Sequence, residues 1–92
     1  MNETSASREL DGFAAVITGS AKNLGRGMAL TLARAGASIV VNGRSSTAAA
    51  QSVADEIAAA GGRAIVHMAD VSRPEGALGL IDAALDAFGR LD

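Results

Sequence analysis

A short apolar run, a glycine-rich turn and a set of helix-spaced apolar residues follow one another between Phe13 and Ala35. That succession constrains the fold more than any other feature. Phe13 to Thr18 reads as a buried strand. Leu24, Met28, Leu32 and Ala35 recur at helical spacing, so the turn opens directly into a helix over roughly Leu24 to Ala35. The first amides of a helix have no internal partner, and its dipole places partial positive charge at that end. A strand, a tight turn and a helix N-terminus therefore make an anion site. Gly19 and Gly25 let the backbone turn sharply and approach a phosphate closely. A Walker-type phosphate loop fits worse, because Gly25 is followed by Arg26 and Gly27 rather than by Lys and Ser/Thr.

The same alternation continues downstream. Gly36 falls where a left-handed helix cap is expected. Ser38 to Asn42 is a second strand, whose unbroken β-branched run suits a parallel strand covered on both faces. Gly43 to Ser46 is a loop. A second helix runs from about Thr47 to Ala60, with Val53, Ile57 and Ala60 as its buried stripe, and Gly61-Gly62 ends it. Ala64 to Met68 is a third strand. Ser72 and Glu75 form a capping box around Pro74 at the start of a third helix. Leu78, Ile81, Leu85 and Phe88 are its expected core face, and Gly89 stops it. Arg90-Leu91-Asp92 leads toward a fourth strand. Strands alternating with helices give an α/β fold, a Rossmann-type doubly wound parallel sheet truncated after the third βα unit. Residues 1–9 read as a mobile lead-in and residues 10–92 as the N-terminal part of a dinucleotide-binding domain.

Composition narrows the function. A chain of 92 residues holds one small domain. Its net charge of −2 offers no footprint for nucleic acid. With no cysteine, a disulfide framework, a thiol nucleophile and a cysteine zinc site are excluded. No apolar run approaches the ~20 residues of a membrane span, and no secretory signal is evident, so a cytoplasmic address is the default. The lone His67 has no metal-ligand partner and reads as the polar end of a strand. Asp55 and Glu56 point about 100° apart on a helix and read as a solvated face. Asp82 and Asp86 also read as surface charges. Arg26 fits either a phosphate contact or the surface.

With these elements placed, the chain resembles the N-terminal half of the short-chain dehydrogenase/reductase family. The family's T-G-x-x-x-G-x-G motif reads here Thr18-Gly19-Ser20-Ala21-Lys22-Asn23-Leu24-Gly25, with Asn23 in place of the middle glycine. Asparagine is among the few residues that tolerate positive φ. Asp70-Val71 matches the family's second motif, an aspartate after strand 3 that bonds the adenine amino group. The resemblance implies cofactor contacts from Gly19, Ser20, Lys22, Asn23, Leu24, Gly25, Arg44, Asp70 and Val71. In relatives that bind NAD, an acidic residue about twenty positions past the glycine turn grips the ribose 2′-hydroxyl. Gly43 occupies that position here, followed by Arg44, whose guanidinium suits a 2′-phosphate. Lys22 lies where relatives that prefer NADP often carry a base. NADP(H) is therefore expected over NAD(H).

The resemblance also implies hydride transfer between nicotinamide and a small carbonyl or alcohol, and a homo-oligomeric full-length enzyme. The family's tyrosine, lysine and serine lie in the other half of its fold. This chain has no tyrosine, and its one lysine, Lys22, is in the turn. The chain alone is thus expected to carry no catalytic residues, to bind cofactor weakly and to be inactive. Two other readings stay open: a stand-alone nucleotide-binding module without chemistry, and a different Rossmann user such as a methyltransferase. The coding sequence beyond Asp92 would separate the enzyme from the module.

Overall fold

The computed structural model describes residues 9–92; most of the expected lead-in, residues 1–8, lies outside them. The element order is β1 (Ala14–Ile17), α1 (Asn23–Arg34), β2 (Ser38–Val41), α2 (Thr47–Ala59), β3 (Ala64–Val66) and α3 (Pro74–Phe88). The strands form one parallel sheet in the order β1-β2-β3, with Val16 beside Val40 and Val40 beside Ile65. This is the expected doubly wound arrangement.

The central strand shows why. Side chains alternate across a strand, and Ile39, Val40 and Val41 are all fully buried. Ile39 and Val41 pack into a core with Ile17, Ala29, Ala50, Val53, Ala54 and Ile57, which is the face covered by α1 and α2. Val40 faces the other way, against Leu80 and Ala84 of α3, with Val16, Ile65 and Phe88 around them. A strand buried on both faces has no polar side, hence its continuous apolar run. Burying each such side chain contributes about 1.5–3 kcal/mol.

Two expected helix faces are corrected, and in α1 the helix-spaced residues are not the core. In α1 the fully buried residue is Ala29, while Leu24 is 78% and Met28 48% exposed. In α2, Val53 and Ile57 are buried as expected, but Ala60 is the exposed C-cap and Ala50 and Ala54 complete the stripe. In α3, Leu78, Ile81 and Leu85 are exposed, Leu78 by 60%, and the core face is Leu80 and Ala84 with Phe88 half-buried. That helix carries two apolar stripes about 100° apart. The one containing Ala84 allows the closer approach to Val40, and only one stripe can face the sheet.

The expected capping box at Ser72 and Glu75 does not form. The helix starts one residue later than expected, so Arg73 and not Ser72 is the N-cap of α3 and makes no side-chain cap bond, while the Ser72 hydroxyl donates to Asp70. The expected helix stops hold: Gly36, Gly61 and Gly89 all adopt positive φ. At the outer edge of β1, the Asp92 amide donates to the Ala14 carbonyl at 2.9 Å, and the Ala14 amide donates to the Asp92 carboxylate at 3.0 Å. That carboxylate also accepts from Arg90 through two 2.6 Å bonds. The Arg90 and Ala14 donors hold its carboxyl below the ordinary range. A groove of about 490 Å³ lies along β1 and α1, lined by Val16, Gly19, Leu24, Met28 and Leu32, among others.

Candidate nucleotide-binding site

The three parallel strands end side by side, and the loops that leave them carry the expected site residues. The turn from β1 into α1 is shaped by two backbone choices. Gly19 takes φ 63° and Asn23 takes φ 56°. Asn23 thus holds the left-handed conformation that its side chain tolerates better than most. Gly25 has a different reason to be glycine. A Cβ there would lie 3.0 Å from both the Gly19 carbonyl carbon and Ser20 Cα, and closer still to the Gly19 carbonyl oxygen. The first turn of α1 therefore rests directly on the backbone of the glycine turn.

The outer surface of this turn is open. Gly19, Lys22, Asn23 and Leu24 are exposed, and a Cβ on Gly19 would meet nothing within 4 Å. The Arg26 amide donates to the Lys22 carbonyl at 3.2 Å, so the amides of Leu24 and Gly25 lie ahead of the helical ladder. These are the groups that face an anion at a helix N-terminus. Lys22 is the N-cap, in an extended conformation. Arg26 pairs with Glu56, tying α1 to α2 across the surface, so its ambiguity resolves away from phosphate.

Ser20 behaves differently from its expected role as a cofactor contact. It is fully buried. Its amide donates to the Asn42 carbonyl at 2.8 Å, and its hydroxyl accepts from the Asn42 amide at 2.8 Å. The side chain is spent on holding the turn to the end of β2. That bond also ends β2 at Val41 rather than at the expected Asn42, since the Asn42 amide turns to Ser20.

The second and third loops meet beside this turn. Gly43 is buried, and a Cβ on it would approach Met68 Cε at 3.1 Å and Ala21 Cβ at 3.4 Å. Its carbonyl accepts from the Ala69 amide at 3.1 Å. Arg44 follows, exposed, with its guanidinium 3.5 Å from Asp70 Oδ2. Asp70 Oδ1 accepts from the Ser72 hydroxyl at 2.6 Å and the Ser72 amide at 3.0 Å. Those two bonds, helped by the Arg44 charge, hold its carboxyl below the ordinary range. Asp70 is thus an ionised, acceptor-only group near neutral pH. Gly76 lets α3 start close by, because a Cβ there would lie 2.9 Å from the Asp70 carbonyl carbon. Val71 is exposed next to it.

The structure thus brings Gly19, Asn23, Leu24 and Gly25 together in one turn and sets Arg44 against Asp70. Lys22 stands on the surface and makes no ion pair among the described residues. The residue that sequence reasoning missed is Asn42. Its one signal is a polar side chain closing an otherwise apolar strand. Asp55 bonds Gln51 on the α2 surface, and Asp82 and Asp86 are exposed, as expected. His67 is half-buried, with its ring beside Gly79. No group of three or more His, Cys, Asp or Glu residues among those described could hold a metal ion.

Comparison with known proteins gives the family and the fold. Residues 14–92 match the family described as short chain dehydrogenase. An uncharacterized oxidoreductase of Methylorubrum extorquens is 50% identical over 84 residues, covering 91% of this chain and 34% of that protein. A hydroxynaphthalene reductase-like protein of Metarhizium acridum is 45% identical over 85 residues, covering 92% of this chain and 32% of its own length. Among solved structures, a short chain dehydrogenase from Mycobacterium avium superposes with a TM-score of 0.86 at 41% identity, over 91% of this chain and 33% of that one. A hydroxysteroid dehydrogenase from Escherichia coli gives 0.87 at 38% identity, over 96% and 37%. The chain spans about a third of the length of these relatives. It belongs to the short chain dehydrogenase family.

Proposed function

We propose that this chain is the cofactor-binding part of a nicotinamide-dependent oxidoreductase and that NADP(H) is the preferred cofactor. The observation that carries the reading is the convergence of three loops at one edge of the sheet: the open turn at Gly19–Gly25, Arg44 after β2, and the ionised Asp70 after β3. The amides at the start of α1 would hold the pyrophosphate, with Lys22 adding charge at the turn. Asp70 would accept from the adenine amino group, with Val71 beside it. Arg44 would hold the 2′-phosphate by a charge-assisted contact.

The choice of NADP(H) has two supports. No carboxylate stands at position 43 to repel a 2′-phosphate or to grip a 2′-hydroxyl. Arg44 beside it is exposed and offers a guanidinium for a charge-assisted contact. A hydrogen bond to a charged group is worth about 1.5–3 kcal/mol, or roughly ten- to hundredfold in affinity.

When bound, the nicotinamide supplies hydride transfer to a carbonyl or from an alcohol. The residues of this chain bind and orient the cofactor. They include no tyrosine, so the proton-transferring group of the family is not among them. The substrate is a small molecule, and the whole enzyme is read as a cytoplasmic homo-oligomer. The test is calorimetric titration of the chain with NADPH and with NADH. NADPH is expected to bind at least about tenfold more tightly, with both weaker than sub-micromolar. Equal affinity, or tighter NADH binding, overturns the cofactor reading.

A further inference from the structure

Asn42 is 2% exposed and bonds to two segments distant in sequence, the glycine turn and the exit of β3. Its Oδ1 accepts from the Gly19 amide at 3.0 Å, on the glycine turn. Its Nδ2 donates to the His67 carbonyl at 3.1 Å and lies 3.4 Å from the carbonyls of Gly43 and Ala69. Its backbone forms the clasp with Ser20. One side chain therefore touches the backbone of the turn after β1 and of the segment that leads from β3 to Asp70.

We infer that Asn42 is a positioning residue that ties the phosphate-binding turn to the adenine-end loop, so that the two halves of the nucleotide site keep a fixed spacing. The inference rests on the proposed cofactor site for its functional consequence, but not for the tie itself. A side-chain amide suits the place because it offers an acceptor and two donors on a short stem. Aspartate would keep the acceptor for Gly19 and lose the donors to His67 and Ala69. Alanine would lose both. The Gly19 amide is the more telling partner, because at φ 63° it lies outside any ladder and its direction depends on this bond. A dinucleotide has to meet the turn and the Asp70 loop at once. Fixing their spacing beforehand removes an ordering cost from binding.

The test uses amide hydrogen exchange read by NMR on the chain without ligand, with dissociation constants for two ligands. Asn42→Ala is expected to speed exchange at Gly19 and at Ala69–Ser72 by at least about tenfold while Val53 and Ile57 in α2 stay protected. Asn42→Asp is expected to keep Gly19 protected and loosen only the second segment. NADPH, which spans both halves, should bind Asn42→Ala at least about tenfold more weakly, and 2′-AMP, which reaches only Arg44 and Asp70, within about threefold of wild type. Parallel loss of both ligands together with general exchange would show a merely structural residue and overturn the inference. So would unchanged exchange at Gly19. A third readout needs no variant: a scalar coupling across the hydrogen bond from the Gly19 amide nitrogen to the Asn42 side-chain carbonyl in wild type. Its absence overturns the tie even if the variants do not fold. If wild type binds neither ligand, the cofactor reading falls, and the exchange and coupling measurements still decide the tie.

Discussion

Alanine at Gly25 and alanine at Gly27 should move stability in opposite directions. Both glycines lie in α1, two residues apart, so the same helix-propensity gain applies to both, about 0.8–1 kcal/mol for Gly→Ala. At Gly27 a Cβ meets nothing within 4 Å. The gain is uncompensated there, and a shift of 1 kcal/mol moves the Tm of a domain this size by about 4–8 °C. Gly27→Ala should therefore raise Tm by about 4–6 °C. At Gly25 the added methyl runs into the Gly19 carbonyl and Ser20 Cα, with two of these atoms 3.0 Å away. All of them are backbone and cannot rotate aside. Overpacking of that kind costs about 1–3 kcal/mol. Taking the upper end and subtracting the propensity gain leaves a net loss of about 2 kcal/mol, or a Tm lower by about 8–16 °C. The two variants should thus differ by about 3 kcal/mol although their sequences differ only in the placing of one methyl group. Thermal and urea unfolding followed by far-ultraviolet circular dichroism gives the comparison directly. If Gly25→Ala is as stable as Gly27→Ala, α1 does not rest on the turn as described, and the account of the anion site loses its geometry.

Arg44→Ala should weaken NADPH by roughly ten- to hundredfold, the value of a charged hydrogen bond, and leave NADH within about twofold; a common loss of both by calorimetry would remove Arg44 from the 2′-phosphate. Gly43→Asp should reverse the preference toward NADH, since Met68 presents only its flexible tip, 3.1 Å from the new Cβ; unchanged preference would place the specificity elsewhere. Asp70 has a depressed folded pKa, caused first by Ser72. Its contribution to stability is accordingly present above the unfolded value of about 3.9 and lost as pH falls through the folded one. Ser72→Ala should raise the midpoint of the Asp70 carboxyl carbon titration toward that unfolded value, and an unmoved midpoint would refute the assigned cause.

Much of this fold is legible in the residues themselves. The unbroken Ile39-Val40-Val41 run announced a strand covered on both faces, and Gly36, Gly61 and Gly89 marked the helix ends because each needs positive φ. The glycine turn was legible for the same reason, down to the left-handed Asn23. What misled was choice between competing partners. Two apolar stripes on α3 look equally good in sequence, and only the fit of Ala84 against Val40 decides between them. Ser72 has the makings of a helix cap, yet α3 begins one residue later, behind Arg73, and leaves the Ser72 hydroxyl to donate to Asp70. Asn42 was invisible as a site residue because its partners lie 22 to 27 residues away. The inward direction of the Ser20 hydroxyl is hidden for the matching reason, since the motif gives its position and only the fold shows its bond to Asn42.

The central claim is that the Gly19–Gly25 turn, Arg44 and Asp70 form one nucleotide site with a preference for a 2′-phosphate. The most direct measurement is an NMR titration of the chain with 2′,5′-ADP, with 5′-AMP as the control. The account predicts that amide shifts concentrate at Gly19, Leu24, Gly25, Arg44, Asp70 and Val71, and that 2′,5′-ADP binds at least about tenfold more tightly than 5′-AMP. Shifts scattered over the surface, or equal affinity for the two nucleotides, would contradict it.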